Sequence, residues 1–227
     1  RVYTTLDLKM QQAAEEAIAK VLDKPDDPSA SLVAIEPRTG YIRALVGGKD
    51  FNTQKFNLAV QGHRQAGSAF KTFVLTAAVD QGISPTKVYQ SSPVTIKLPA
   101  KDWEVHNYTE GSGGSPMTVR SGTIYSVNAV YARLVMDVGA KNVVEMAKKM
   151  GIESPLDPFP AIALGGLRIG VTPLEMASAY ATLANQGTYV KPTAVIKTTD
   201  ASGKLLFKAK RKEKQAMDSS VAYIVTD

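Results

Sequence analysis

The 227-residue chain has no cysteine, which rules out disulfides, thiolate metal sites and a cysteine nucleophile. It has only two histidines, His63 and His106. Without carboxylate help these cannot make a metal cluster, and no H-E-x-x-H spacing occurs. A Gly-x-Ser-x-Gly elbow is also missing. Gly165-Gly166 with Gly170 lacks both the Lys-Ser/Thr ending of a phosphate loop and the dinucleotide spacing. No run approaches the roughly eighteen apolar residues of a membrane span, and nothing at residue 1 has the pattern of a signal peptide. No basic run is interleaved with aromatics, so nucleic acid is not an expected partner. The chain carries a net charge of +6. Much of it lies in Lys204, Lys208, Lys210, Arg211, Lys212 and Lys214, a solvated face or a surface attracted to anionic envelope polymers or lipid headgroups.

What the chain does contain is Ser68-Ala69-Phe70-Lys71 at the head of an apolar run. A serine hydroxyl is a poor nucleophile until a base takes its proton, and on a helix the residue three positions on shares its face. Lys71 therefore stands where a base for Ser68 belongs. Ala69, Phe70, Phe73, Val74, Leu75, Ala77, Ala78 and Val79 cover most of the cylinder up to Gly82, which predicts a buried helix. Burial disfavours the Lys71 ammonium and pushes it toward the proton-accepting amine. Ser68 near the first turn has backbone N–H groups and the positive end of the dipole at hand for an oxyanion. The plainer reading of Ser68 is a helix N-cap followed by a surface lysine. A second S-x-x-K, Ser84-Pro85-Thr86-Lys87, follows Gly82 and contains proline, so it reads as loop without chemical meaning. His63 would be the partner in a Ser-His-Asp site for Ser68, but five residues upstream it reads as a loop residue. Ser126-Val127-Asn128, the only S-x-N in the chain, falls between two predicted helices, where polar side chains can face a cleft. In isolation it also reads as an N-cap serine with a turn asparagine.

With 44% hydrophobic residues the chain can bury a sizeable core, and its pattern is α/β. Asp7 caps a predicted helix through Leu22, with Met10, Ala14, Ala17, Ile18 and Val21 on one face and Pro25 to Pro28 ending it. Ser31–Glu36 and Tyr41–Val46 read as a hairpin about Pro37-Arg38-Thr39-Gly40. Ser84 to Pro116 reads as a Ser/Pro/Gly-rich stretch. Helices are expected at Thr118–Ile124, Ala129–Val138 and Lys141–Met150. Thr172-Pro173-Leu174-Glu175 is a capping box with proline at the first helical position, and Gly187 closes that helix. Thr193–Thr199 and Lys204–Lys208 form a second predicted hairpin. Asp218 reads as an N-cap of a helix through Val221, Ile224 and Val225 that the chain end interrupts.

Several blocks in register resemble one family, the penicillin-binding proteins, and within it the transpeptidase domain of the class A, high-molecular-weight bifunctional type. They are Thr4-Thr5-Leu6-Asp7, Ile35 to Gly40, Val46-Gly47-Gly48, Phe56 to Ala59, Arg64-Gln65-Ala66-Gly67-Ser68-Ala69-Phe70-Lys71, Asn107-Tyr108, Ser126-Val127-Asn128, Ala163-Leu164-Gly165 and Val171 to Ala177. Together they are far more specific than any one alone. The sequence departs from the family at Ala66 and Thr72, where proline is common. None of its four Thr-Gly or Ser-Gly pairs is preceded by lysine, so the family's Lys-Ser/Thr-Gly block is missing.

The resemblance implies a penicillin-binding protein or serine β-lactamase-like α/β fold. It would have an antiparallel sheet with flanking helices and a mostly helical subdomain, residues 84–170, carrying the S-x-N loop. Residues 1–30 would be the opening segment and first helix, and 1–227 a transpeptidase domain that stops before the third block. That block would come from a later segment or a separate chain, and a membrane anchor and a glycosyltransferase domain would precede Arg1. The implied roles are Ser68 as nucleophile, Lys71 as base, Ser126 as proton relay, Asn128 as substrate-binding and Lys71-orienting amide, and Trp103 and Tyr108 as groove aromatics. No metal or organic cofactor is implied. The implied partners are peptidoglycan stem peptides and β-lactams, on the extracytoplasmic face of a bacterial membrane. The alternatives are a D,D-carboxypeptidase or serine β-lactamase, for which Glu153 would stand as a deacylating carboxylate, and a non-catalytic β-lactam sensor or envelope scaffold.

Overall fold

The computed structural model describes residues 1–24, 26–53, 55–99, 101–108 and 114–227. The chain divides into two compact units, each made of separated stretches: Arg1–Arg64, Met150–Ser154 and Val171–Ser219 in the first, Gln65–Lys149, Pro155–Gly170 and Ser220–Asp227 in the second. The second unit thus starts at Gln65, ahead of the residue 84 expected from sequence, and takes in the Ser68 helix.

In the first unit the helix Leu8–Val21 is capped by Asp7, whose carboxylate accepts the N–H groups of Lys9 and Met10 at 3.0 and 3.1 Å. Its buried stripe is narrower than predicted: Ala14 and Ile18 pack on Ala44 and Val46, while Met10, Ala17 and Val21 are exposed. Gln11 replaces apolar contact on that side, its amide exchanging hydrogen bonds with the backbone of Leu45 at 2.8 and 3.2 Å. The predicted hairpin is present as Leu32–Glu36 against Tyr41–Val46, with Gly40 at the turn in the left-handed region. The second predicted hairpin, Val195–Thr199 with Leu205–Lys208, gains a third antiparallel strand, Val2–Thr4, which sequence did not reveal. Thr5 ties hairpin and sheet together, its buried hydroxyl lying 2.7 Å from the Ile42 carbonyl and 3.0 Å from that of Thr193. Helix Pro173–Ala184 opens with the predicted capping box.

The second unit is built around helix Lys71–Asp80, which a 3₁₀ turn, Gly67–Phe70, leads into. Every residue from Phe73 to Val79 is buried, which is why no polar face shows in its sequence. Helices Asn128–Val138 and Ala140–Lys149 pack on it, Val119–Ile124 packs on Asn128–Val138, and all but Ser219 of helix Ser219–Thr226 lies in the same unit. The Ser/Pro/Gly-rich stretch and its flank hold two short antiparallel pairs, Val88–Gln90 with Pro116–Thr118 and Val94–Ile96 with Trp103–Val105. Three-residue strands are too short to show an alternating pattern.

Candidate active site

Ser68, Lys71, Ser126 and Asn128 converge, all within the second unit. Lys71 Nζ lies 3.2 Å from Ser68 Oγ, 3.0 Å from Ser126 Oγ, 2.6 Å from the Ser126 carbonyl and 2.8 Å from Asn128 Oδ1. Lys71 is buried at 4% exposure, whereas both serines are exposed. The site is thus a buried amine beneath two solvent-facing hydroxyls.

Local geometry explains each placement. The 3₁₀ turn positions Ser68 immediately before the helix that begins at Lys71, so one turn separates hydroxyl and amine. The Ser68 approach is fixed from the side by Gly165 (φ 73°): a Cβ there would run into the backbone of Gly67. Gln65 adds a second tie, accepting the Leu167 N–H at 2.7 Å while its amide N–H donates to the Leu167 carbonyl. Ser126 sits in the connector between two helices with φ 52°, a left-handed conformation uncommon for a non-glycine residue. The connector is held by the Ser126 N–H on the Thr123 carbonyl at 3.0 Å and the Val127 N–H on Gly122 at 2.8 Å. Gly122 lets the two helices close, since a Cβ there would come within 2.7 Å of Val130. Asn128, expected in the connection, is the first residue of helix Asn128–Val138. Its Nδ2 donates to the His106 carbonyl at 3.0 Å, which turns Oδ1 toward Lys71. Asn107 Oδ1 accepts the Ala129 N–H at 3.1 Å, anchoring the strand-side loop to the same helix start.

Burial shifts the balance toward the amine. Desolvation pulls the Lys71 pKa from its ordinary 10.5 to about 8. Four acceptor oxygens surround Nζ, whereas an ammonium has only three N–H groups. The neutral form can keep two donors on the Ser126 carbonyl and Asn128 Oδ1 and offer its lone pair to a hydroxyl proton. The Lys71 nitrogen also stands 5.4 Å from the ring centre of fully buried Tyr131. Tyr131 carries no signal in the sequence, being one more apolar position on its helix, and neither does His106, which contributes through its backbone.

The other candidates separate from this cluster. Trp103 is half-buried on its short strand and Tyr108 is fully exposed; both belong to the loop region joined to the cluster through His106 and Asn107. In the second S-x-x-K, Ser84 Oγ pairs with Thr86 Oγ1 at 2.7 Å, and Lys87 forms an ion pair with Asp137 at 2.6 Å. His63 belongs to the first unit, with Nδ1 3.2 Å from Ser154 Oγ. Glu153 is also in the first unit, its exposed carboxylate 3.3 Å from Lys191.

A buried lysine amine under two serine hydroxyls, oriented by an asparagine at a helix start, is the arrangement that acyl transfer through a serine with a lysine base would require. A family model described as "Penicillin binding protein transpeptidase domain" matches residues 30–227, and the chain belongs to that family. It is 33% identical over 225 residues to Penicillin-binding protein 2D of Bacillus subtilis, covering 98% of this chain and 32% of that protein. It is 36% identical to Penicillin-binding protein 1A of Mycobacterium tuberculosis, over 92% of this chain and 26% of that one. The structure of PonA1 from M. tuberculosis in complex with penicillin V superimposes with a TM-score of 0.88 at 34% identity, covering 100% of this chain and 62% of that one. The resemblance to class A penicillin-binding proteins therefore holds in sequence and fold. The chain spans about a third or less of these two curated relatives. Among the described residues no helix is long and apolar enough to cross a membrane.

Proposed function

We propose that the chain is the core of a peptidoglycan D,D-transpeptidase domain acting through an acyl-enzyme on Ser68. The observation that carries this reading is the placement of Lys71 Nζ within hydrogen-bond reach of Ser68 Oγ, Ser126 Oγ and Asn128 Oδ1. The neutral Lys71 amine takes the Ser68 proton as Oγ attacks the carbonyl of the penultimate D-Ala in a stem peptide ending D-Ala-D-Ala. The tetrahedral intermediate collapses by breaking the peptide bond. Ser126 passes the Lys71 proton to the departing amine, and terminal D-Ala leaves. An amine of a neighbouring stem then attacks the ester, loses its proton back through Ser126 and Lys71, and frees Ser68. Asn128 holds Lys71 with Oδ1, and the second N–H of its amide serves the substrate's peptide carbonyl. Trp103 and Tyr108 line the substrate groove.

β-Lactams acylate Ser68 in place of the dipeptide, in keeping with the penicillin V complex of the similar PonA1. The Lys-Ser/Thr-Gly strand is supplied from beyond these residues or by a separate chain. The whole protein, with its anchor and glycosyltransferase domain, works on the outer face of a bacterial membrane. The test is to incubate the domain, extended to include that strand, with a D-Ala-D-Ala stem peptide and an acceptor amine. Release of D-Ala coupled to a new peptide cross-link supports the proposal. Release with hydrolysis alone would replace transpeptidation by carboxypeptidase action, and no release would remove the catalytic reading.

A further inference from the structure

The first unit carries a surface feature that acyl transfer does not use. Along strand Leu205–Lys208 three large apolar residues in succession are exposed: Leu205 at 52%, Leu206 at 64% and Phe207 at 51%. A regular strand would hide alternate residues. Here the pairing jumps from Leu205↔Thr199 to Phe207↔Thr198, so Leu206 is an extra residue bulged from an edge strand. The bulge spoils the edge for pairing with another strand, so the exposed apolar row is poorly suited to strand addition. Val2, 63% exposed, faces Thr198 from the other side and extends the apolar row to the first strand of the sheet.

Cations gather at the Phe207 end of this row. A cavity of about 690 Å³ in the same unit has Ile196 and Phe207 on its wall and Lys208, Lys210, Arg211 and Lys212 around it, with no acidic residue among those lining it. Arg211 pairs with Glu213, but among the described residues Lys208, Lys210 and Lys212 have no ion-pair partner. A soluble polyanion would complement the charge yet leave three protruding apolar side chains in water. A bilayer with anionic headgroups satisfies both, since apolar side chains reach the acyl boundary while lysines meet phosphates.

We infer that the Leu205–Lys212 surface docks on an anionic phospholipid membrane. The inference is independent of the acyl-transfer chemistry. The full chain is sedimented with vesicles of phosphatidylglycerol and phosphatidylcholine, and with vesicles of phosphatidylcholine alone. Partition onto the anionic vesicles only, weakened by added salt, is expected. Lys208→Gln/Lys210→Gln/Lys212→Gln together should lower it by on the order of a hundredfold, from three headgroup contacts removed. Leu206→Ser/Phe207→Ser should lower what remains at high salt. Lys141→Gln/Lys148→Gln/Lys149→Gln, which removes the same charge from helix Ala140–Lys149 in the other unit, should leave partition near wild type; circular dichroism checks that every variant folds. No partition, equal partition onto neutral vesicles, or an equal loss in the helix variant would overturn the inference. So would binding to soluble inorganic polyphosphate that displaces the vesicles and ignores Leu206 and Phe207, which would assign the surface to a soluble polyanion.

Discussion

If Lys71 is the base, acylation should follow the titration of a buried amine. With a pKa of about 8, caused by desolvation, the neutral fraction at pH 7 is about one in eleven, and at pH 6 about one in a hundred. An ordinary lysine at 10.5 would offer about one part in three thousand at pH 7, so burial raises the supply of base roughly three-hundredfold. The second-order rate constant for acylation by a penicillin should therefore rise about tenfold per unit from pH 6 toward 7.5, bend near 8 and level off above 9. Stopped-flow mixing with a fluorescent penicillin, on the domain extended to include the Lys-Ser/Thr-Gly strand, gives this profile directly. A rate flat across pH 6 to 9 would show that Lys71 does not accept the proton. A rate still climbing tenfold per unit above pH 9 would show that its amine is not desolvated.

Asn128→Asp places a carboxylate 2.8 Å from the lysine nitrogen, which favours the ammonium; the bend in the pH–rate profile should move upward and the rate at pH 7 should fall, read by the same mixing experiment. Gly165→Ala should destabilise the fold by roughly 2–4 kcal/mol in denaturant titration, because its Cβ strikes the Gly67 backbone and its φ of 73° disfavours a side chain. Glu175 accepts from the N–H groups of Glu153, Ser154 and Thr172. Desolvation raises its pKa, but these hydrogen bonds outweigh it and leave the carboxyl below its ordinary value. Because the folded-state value is the lower one, its stabilisation is present above the unfolded pKa of about 4.3 and lost as pH falls through the folded value. Thermal melts should show a wild-type advantage over Glu175→Gln at pH 7 that shrinks on acidification below about pH 4.

The residues of the cluster are legible because each is marked by residue type and spacing: Ser68 and Lys71 sit one turn apart, and Ser126-Val127-Asn128 occurs once. The helices followed for the same reason, since Asp7 and Thr172 announce their caps and the apolar runs their burial. What stayed hidden was whatever depends on distant backbone. Gly165 looks like any loop glycine until it lies against Gly67, and His106 acts through a carbonyl that every residue possesses. Strand Val2–Thr4 is too short to show alternation, and its partner is nearly two hundred residues away. The stripe on helix Leu8–Val21 is narrower than its apolar spacing because Gln11, polar in sequence, faces the sheet and bonds Leu45 with its amide.

The most direct measurement is to locate the covalent adduct after incubation with a fluorescent penicillin, on the domain extended to include the Lys-Ser/Thr-Gly strand. Trypsin cutting after Arg64 and Lys71 releases Gln65–Lys71, which contains Ser68 as its only hydroxyl. The account predicts label on that peptide alone, abolished in Ser68→Ala while the variant melts as wild type. Label on a peptide containing Ser84 or Ser126, label surviving in Ser68→Ala, or no label at all would contradict Ser68 as the nucleophile.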